Sequence, residues 1–316
     1  GKNVRYRKLG TTGIEVSESG FGGFAIGGYD YGPTDDRESL AALEKAYDLG
    51  VTFFDTADMY GEGRSETLIG RALKGKNPPA FVATKVGFVG ERDSHQHQKD
   101  FSRAHIRAAA EQSLRRLERE AIDLYQLHNP TLADLESGEV FEVMDELGAA
   151  GKVRFWGVSA PSRNVVEICR RTLAWPSASS IQLISNLFHS RDLEELQGEI
   201  HRRGIGVVAR APLEYGMLTG KFTPASRFAP GDHRLQEAVL PERSRERLQL
   251  GVADLPRVRA VRSQLVAENL EGVMHFEILY RGVARVGNVG MAAVDAVHGW
   301  PRAIAASHAF VIGVSL

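Results

Sequence analysis

Cysteine is almost missing from this chain of 316 residues, and with Cys169 as its only copy no internal disulfide can form. Its setting, Val165-Val166-Glu167-Ile168-Cys169, reads as the apolar side of a helix, where a thiol is buried and inert. Long apolar runs are also missing. None approaches the roughly 20 residues that a membrane span needs, and the N-terminus has no hydrophobic signal region, so a cytoplasmic protein without a membrane partner is expected. An excess of either charge is absent too: 39 Lys plus Arg face 40 Asp plus Glu. A nucleic-acid-binding surface needs a basic stripe or excess, so nucleic acid is not an expected partner.

What is present is an alternation of strand and helix signals. Val4 to Leu9 and Ile14 to Val16 flank Gly10-Thr11-Thr12-Gly13, the pattern of a hairpin ahead of the main fold that would plug a barrel floor. Helical periodicity then covers 35–49, 65–73, 102–117, 135–150, 162–171 and 192–203. Between these lie β-like runs at 51–55, 81–86, 122–128, 153–159, 181–185 and 205–209. Such alternation predicts βαβ units and a parallel sheet, closed or doubly wound. Gly20-Phe21-Gly22-Gly23-Phe24-Ala25 fits the relaxed G-x-G-x-x-A dinucleotide fingerprint of the doubly wound option. That fingerprint requires a helix to start at once, whereas Gly27, Gly28, Gly32 and Pro33 prolong a loop.

Three of the apolar runs end on proton-handling side chains. Val51 to Phe54 runs into Asp55, Phe81 to Thr84 into Lys85, and Ile122 to Leu127 into His128, with Tyr60 shortly after the first. Polar residues closing the carboxyl ends of successive strands are the one-dimensional trace of a (βα)8 barrel active site. If Asp55, Lys85 and His128 point inward, so do Phe53, Ala83 and Gln126, leaving Phe54, Thr84 and Leu127 to the helical layer. Reducing a carbonyl needs a hydride donor, a proton donor and a group that holds the oxygen, and side chains supply the last two. Tyr60 is a candidate acid, Lys85 a cation that would favour its phenolate, Asp55 the anion that keeps Lys85 charged, and His128 a donor to the substrate oxygen. The structural alternatives are a buried Asp55–Lys85 pair with no chemical role and a strand-end His128 that only packs.

The stretch from Gly50 through Asp55-Thr56-Ala57-Asp58-Met59-Tyr60-Gly61-Glu62-Gly63-Arg64-Ser65-Glu66 resembles the first signature of the aldo-keto reductase superfamily. Ala83-Thr84-Lys85, Asp123 to His128, Trp156-Gly157-Val158-Ser159, and Ala211-Pro212-Leu213 with Gly216, Leu218, Thr219, Gly220 and Lys221 are similar to its later blocks, in order, over about residues 4–222. The resemblance implies a (βα)8 TIM barrel with an N-terminal β-hairpin, a single domain over 1–316. It also implies a catalytic set of Asp55, Tyr60, Lys85 and His128, and NADPH as cofactor with NADH as second candidate. It assigns to the cofactor Gly23 and Phe24 in the first loop, Ser159 and Gln182 at the carboxamide, Pro212, Leu213 and Gly216 in the later block, and Lys221 at the phosphates. Ala160 departs from a frequent Asn. Arg210 replaces a frequent stacking aromatic, as in one bacterial branch, and its planar guanidinium can stack or meet phosphate. Residues 250–316 form an atypical C-terminal region. There Phe310 to Ser315 resembles the eighth strand and its loop, giving Gly313 as a further cofactor contact, while Gln264 to Leu270 resembles the helix that grips the adenosine phosphate.

The implied activity is reversible reduction of a small aldehyde or ketone; the alternative is an NADP(H)-binding regulatory or scaffold subunit with little turnover. His95-Gln96-His97 lacks a third ligand at sensible spacing, so no metal is expected. Thr223 to Arg247 reads as a substrate-covering loop or a disordered stretch. Phe24, Tyr29, Tyr31, Phe88, Phe188 and Tyr215 sit on loops that would line an aromatic pocket.

Overall fold

The computed structural model describes residues 4–28, 34–90, 98–186 and 189–212. Strands β1 (Tyr6–Lys8) and β2 (Glu15–Ser17) form the expected antiparallel hairpin, with Tyr6 opposite Ser17 and Lys8 opposite Glu15. Seven strands follow in one parallel sheet: β3 (Phe21–Gly22), β4 (Phe53–Asp55), β5 (Phe81–Val86), β8 (Ile122–His128), β9 (Val153–Ser159), β10 (Ser180–Ile184) and β11 (Gly206–Arg210). A small antiparallel hairpin, β6 (Phe88–Val89) with β7 (Gln98–Lys99), rises beyond the end of β5.

The spatial order of the seven strands is their chain order, with each parallel to the next. A doubly wound sheet reverses its order at a switch point; this one does not, so it winds one way and curls as a barrel does. The helices that return the chain are α1 (Asp36–Asp48), α2 (Arg64–Leu73), α3 (Arg103–Leu117), α4 (Glu139–Ala149), α5 (Val165–Leu173) and α6 (Arg191–Arg203). Their starts are set locally: the Asp35 side chain accepts from Arg37 and Glu38 N–H groups, and Ser102 from that of His105. Helices α4 and α5 begin later than periodicity implies, after Gly138 and Asn164 in the left-handed region.

Period-two alternation sorts the strand residues. Phe54 and Val82 pack outward with Leu43, Leu68 and Ile69 of α1 and α2. Tyr125, Leu127, Trp156, Val158, Ile181 and Val207 pack against the remaining helices, in the cluster that also buries Cys169. Facing inward, Phe53, Phe81, Ala83, Leu124 and Val208 meet Leu9 from the hairpin, which is fully buried. The hairpin thus closes the amino-end floor. Gly206 permits this closeness, since a Cβ there would lie 2.8 Å from the Leu9 side chain. The polar inward residues are consequently confined to the opposite end.

Two elements differ from the sequence reading. The Gly-rich stretch after Gly20 contains β3, whose Phe21 and Gly22 lie opposite Phe54 and Asp55; a strand this short carries no period to detect. The β6–β7 hairpin also lacked a signal, since each arm has two residues. The C-terminal region 250–316 and the 223–247 connection lie outside the described residues.

Candidate active site

Asp55 and His128 are the last residues of β4 and β8, and Lys85 is the penultimate residue of β5, so the sheet's curl brings them to one rim. Tyr60 comes from the turn after β4, held there by N–H donation from Tyr60 to Ala57 O at 3.1 Å and from Ser65 to Tyr60 O at 3.1 Å. All four are buried, Lys85 completely. The Lys85 ammonium donates to Asp55 Oδ2 at 2.6 Å, to Thr56 O at 2.7 Å and, at longer range, to the Tyr60 hydroxyl at 3.5 Å. Three donors meet three acceptors, so the ammonium is fully engaged. The Tyr60 ring stands edge-on to His128, centroids 6.0 Å apart, and Phe24 stands edge-on to Tyr60 at 5.0 Å.

The other Asp55 oxygen accepts from Gln182 Nε2 at 2.9 Å and Gln126 Nε2 at 3.3 Å, while Ser159 Oγ donates to Gln182 Oε1 at 3.2 Å. Burial opposes a charge on Lys85, but the Asp55 carboxylate and the Tyr60 oxygen more than offset it and hold the ammonium above the usual lysine range. Burial pushes the His128 imidazole well below its ordinary range, and the positive charges of Lys85, Arg210 and Lys99 push it the same way. His128 is therefore neutral near pH 7, with a buried Nδ1 that has no hydrogen-bond partner among the described residues.

The residues assigned to a cofactor are spread around the same rim. Gly23 donates its N–H to Asp55 O at 2.7 Å, and a Cβ there would lie 2.4 Å from Ser65 Oγ, so only glycine lets the first strand approach so closely. Ser159 and Gln182 are buried and bonded to each other, and Gln182 also donates to Asp55. Arg210, at the end of β11, donates from Nη2 to Ala160 O at 2.9 Å, and its buried Nε has no partner among the described residues. Pro212 is buried just beyond it. Leu213, Gly216, Lys221 and Gly313 lie outside the described residues, as do Tyr29, Tyr31, His95, His97, Phe188 and Tyr215. The residues following His128 and Arg210, Asn129 and Ala211, have φ of 54° and 50°, a sparsely populated conformation that often marks functional strand ends.

Several surrounding groups escaped the sequence reading. Glu66, fully buried on α2, accepts from Thr84 Oγ1 at 2.5 Å and Arg116 Nε at 2.6 Å, tying α2, β5 and α3 together beside Lys85. A carboxylate on the apolar side of α2 was the available signal. Asp58 has its acid pushed up to about 8 by burial and by Glu66, against the pull of the Met59 backbone, Arg116 and Lys85. It lines a cavity of roughly 290 Å³ with Met59, Glu62, Phe88, His105 and Arg116. None of Asp55, Tyr60, Lys85 or His128 lines that cavity; Phe88 is the link, because its ring also meets His128 edge-on at 4.8 Å.

The sequence pattern of the Aldo/keto reductase family matches residues 19–274, most of the chain. The chain belongs to that family. Aldo-keto reductase YhdN of Bacillus subtilis is 37% identical over 234 residues, covering 73% of this chain and 69% of that protein. Among solved structures, the holo form of aldo-keto reductase AKR11C1 from Bacillus halodurans superposes with a TM-score of 0.62 at 34% identity, covering 71% of this chain and 72% of that one. An aldo-keto reductase from Klebsiella pneumoniae, solved in complex with NADPH, gives 0.55 at 26% identity over 69% and 70% of the two chains. The protein is thus an aldo-keto reductase enzyme on a (βα)8 barrel, seven of whose strands are described above. Among the described residues no helix is long and apolar enough to cross a membrane, and no cluster of three or more His, Cys, Asp or Glu side chains is arranged to hold a metal.

Proposed function

We propose that this aldo-keto reductase uses NADPH to reduce a small aldehyde or ketone, with Tyr60 as acid, Lys85 and Asp55 as the pair that supports it, and His128 as the group that orients the carbonyl. The observation that carries the reading is the three-way engagement of one buried ammonium by Asp55, Thr56 and Tyr60. A purely structural ion pair has no need of a phenol as a further partner. The relative solved with NADPH supports the cofactor. So does the chemistry of Arg210: a buried guanidinium N–H without an acceptor among the described residues suits a phosphate or carboxamide oxygen.

NADPH, when bound, supplies a hydride from its nicotinamide ring to the carbonyl carbon. The Tyr60 hydroxyl gives its proton to the carbonyl oxygen, so the product is the neutral alcohol and the phenolate left behind takes a proton back from solvent. Lys85 stabilises that phenolate, and Asp55, fixed by Gln126 and Gln182, keeps Lys85 charged. Neutral His128 donates a hydrogen bond without competing to lose a proton. Gly23, Phe24, Ser159, Gln182, Arg210 and Pro212 border the space for the dinucleotide, and Leu213, Gly216, Lys221 and Gly313 complete the proposed contacts.

Oxidation of NADPH and of NADH is to be followed against a panel of aromatic and aliphatic carbonyls. Turnover with NADPH that falls at least a hundredfold in Tyr60→Phe is expected, in the range that general acids contribute. Dinucleotide binding without turnover of any carbonyl would instead make the protein a binding or regulatory subunit.

A further inference from the structure

We infer that Lys99 makes this enzyme selective for carbonyl compounds that carry an anionic group, a carboxylate or phosphate, at the end remote from the carbonyl. The inference rests on the reductase reading and adds a substrate class to it. The β6–β7 hairpin holds Phe88 opposite Lys99, and the Lys99 ammonium lies 5.4 Å from the Phe88 ring centroid. The same ring meets His128 edge-on at 4.8 Å. One aromatic ring therefore separates the group that orients the carbonyl from a cation at the rim. Lys99 also donates to the carbonyl oxygen of Asn129, the residue after His128, which anchors the ammonium to the site's own strand.

The charge of Lys99 is not cancelled. Lys85 is paired with Asp55, whereas no described carboxylate lies within ion-pair distance of Lys99. Asp134 acts on it only at longer range, and that carboxylate is already held by the Thr131 N–H and hydroxyl, each at 2.7 Å. Partial burial lowers the Lys99 pKa, the mark of a cation that has lost some of its water and gains by meeting an anion. Among the described residues Arg210 also lacks a carboxylate partner, but it sits across the sheet, on β11 beside Ala160, where the cofactor is proposed. A substrate whose carbonyl lies between Tyr60 and His128, and whose body runs over Phe88, brings its far end to Lys99.

The test compares para-carboxybenzaldehyde with its methyl ester, which has nearly the same shape without the charge, in the wild type, Lys99→Met and Lys99→Glu. Because Lys99 as a whole is an exposed residue, the wild type is expected to prefer the acid in kcat/KM by about fivefold, the upper range for an exposed ion pair. Lys99→Met should remove that preference through KM and Lys99→Glu should reverse it, with the ester's constants unchanged within about twofold. Raising the salt concentration should reproduce the Lys99→Met result in the wild type. Acid and ester losing activity together would show that Lys99 only tethers the hairpin to Asn129, and an acid-to-ester ratio untouched by all these changes would equally overturn the inference. Turnover of the ester by the wild type keeps the reductase reading intact in either case; no turnover of either aldehyde would remove both.

Discussion

Removing both partners of the Lys85–Asp55 pair should destabilise the fold no more than removing the costlier partner alone, far short of the sum of the two single losses. The two groups are 2.6 Å apart with side-chain exposures of 0% and 8%, so neither has water to turn to when the other is lost. Breaking such a pair costs about 3–5 kcal/mol, most of it from the uncompensated charge. The two single variants need not be equal. In Lys85→Met the carboxylate keeps the Gln126 and Gln182 amide donors, which places that variant near 3 kcal/mol, the low end of the range. In Asp55→Asn the ammonium keeps Thr56 O and a distant Tyr60 hydroxyl, which places it nearer to 4 kcal/mol. The double variant contains no buried charge from the pair and should cost no more than the worse single, leaving a coupling of about 3 kcal/mol. Urea unfolding at neutral pH measures all four proteins, and reductase activity is assayed alongside. Additive losses within about 0.5 kcal/mol would refute the account of the pair. Activity should stay lost in the double variant although stability partly returns, which separates the chemical role from the structural one.

The buried acids and bases give pH signatures of opposite sign. His128 is held neutral when folded, so below about pH 6.5 the unfolded chain binds the proton more readily and stability falls as pH drops; thermal melts from pH 8 to 5.5 should decline, and His128→Gln should flatten that decline. Asp58 behaves the other way: the folded acid keeps its proton up to about pH 8, while the unfolded one ionises from pH 3.8 upward, so its contribution is lost as pH rises. Asp58→Asn should therefore raise stability at pH 7.5, by about 1–2 kcal/mol once the residue's partial solvent contact is allowed for, and a destabilised variant would contradict this. Cys169, its thiol pushed up to about 12 by burial and by Asp192, should resist iodoacetamide in the native protein and react at the rate of a free thiol in urea.

Where burial leaves a strong pattern, the sequence was sufficient. Strands β8 and β9 fall on the predicted limits, 122–128 and 153–159, because each run is buried along most of its length and feeds a loop. Asp55, Lys85 and His128 were legible for a related reason: an ionisable side chain that closes an apolar run stands out, whereas Tyr60, in the turn after the first run, was singled out only in their company. Groups whose partners are remote in the chain left no such trace. Asp55 and Gln182 are 127 positions apart, and Asp55 and Gln126 are 71, so the amides that brace the carboxylate emerge only when the sheet curls. Lys99 was invisible for another reason. It reads as one charge in a polar loop, and only a hairpin with two-residue arms turns it toward Phe88.

The central claim, that Tyr60 delivers the proton within a site held by Lys85, Asp55 and His128, is tested most directly by single-turnover mixing of NADPH-loaded enzyme with an aldehyde. Wild type and Tyr60→Phe are to be compared, with the dinucleotide Kd of each taken from intrinsic Trp fluorescence. The account predicts equal Kd values and NADPH oxidation slowed by at least a hundredfold in the variant. Equal Kd values with an unchanged rate would contradict it.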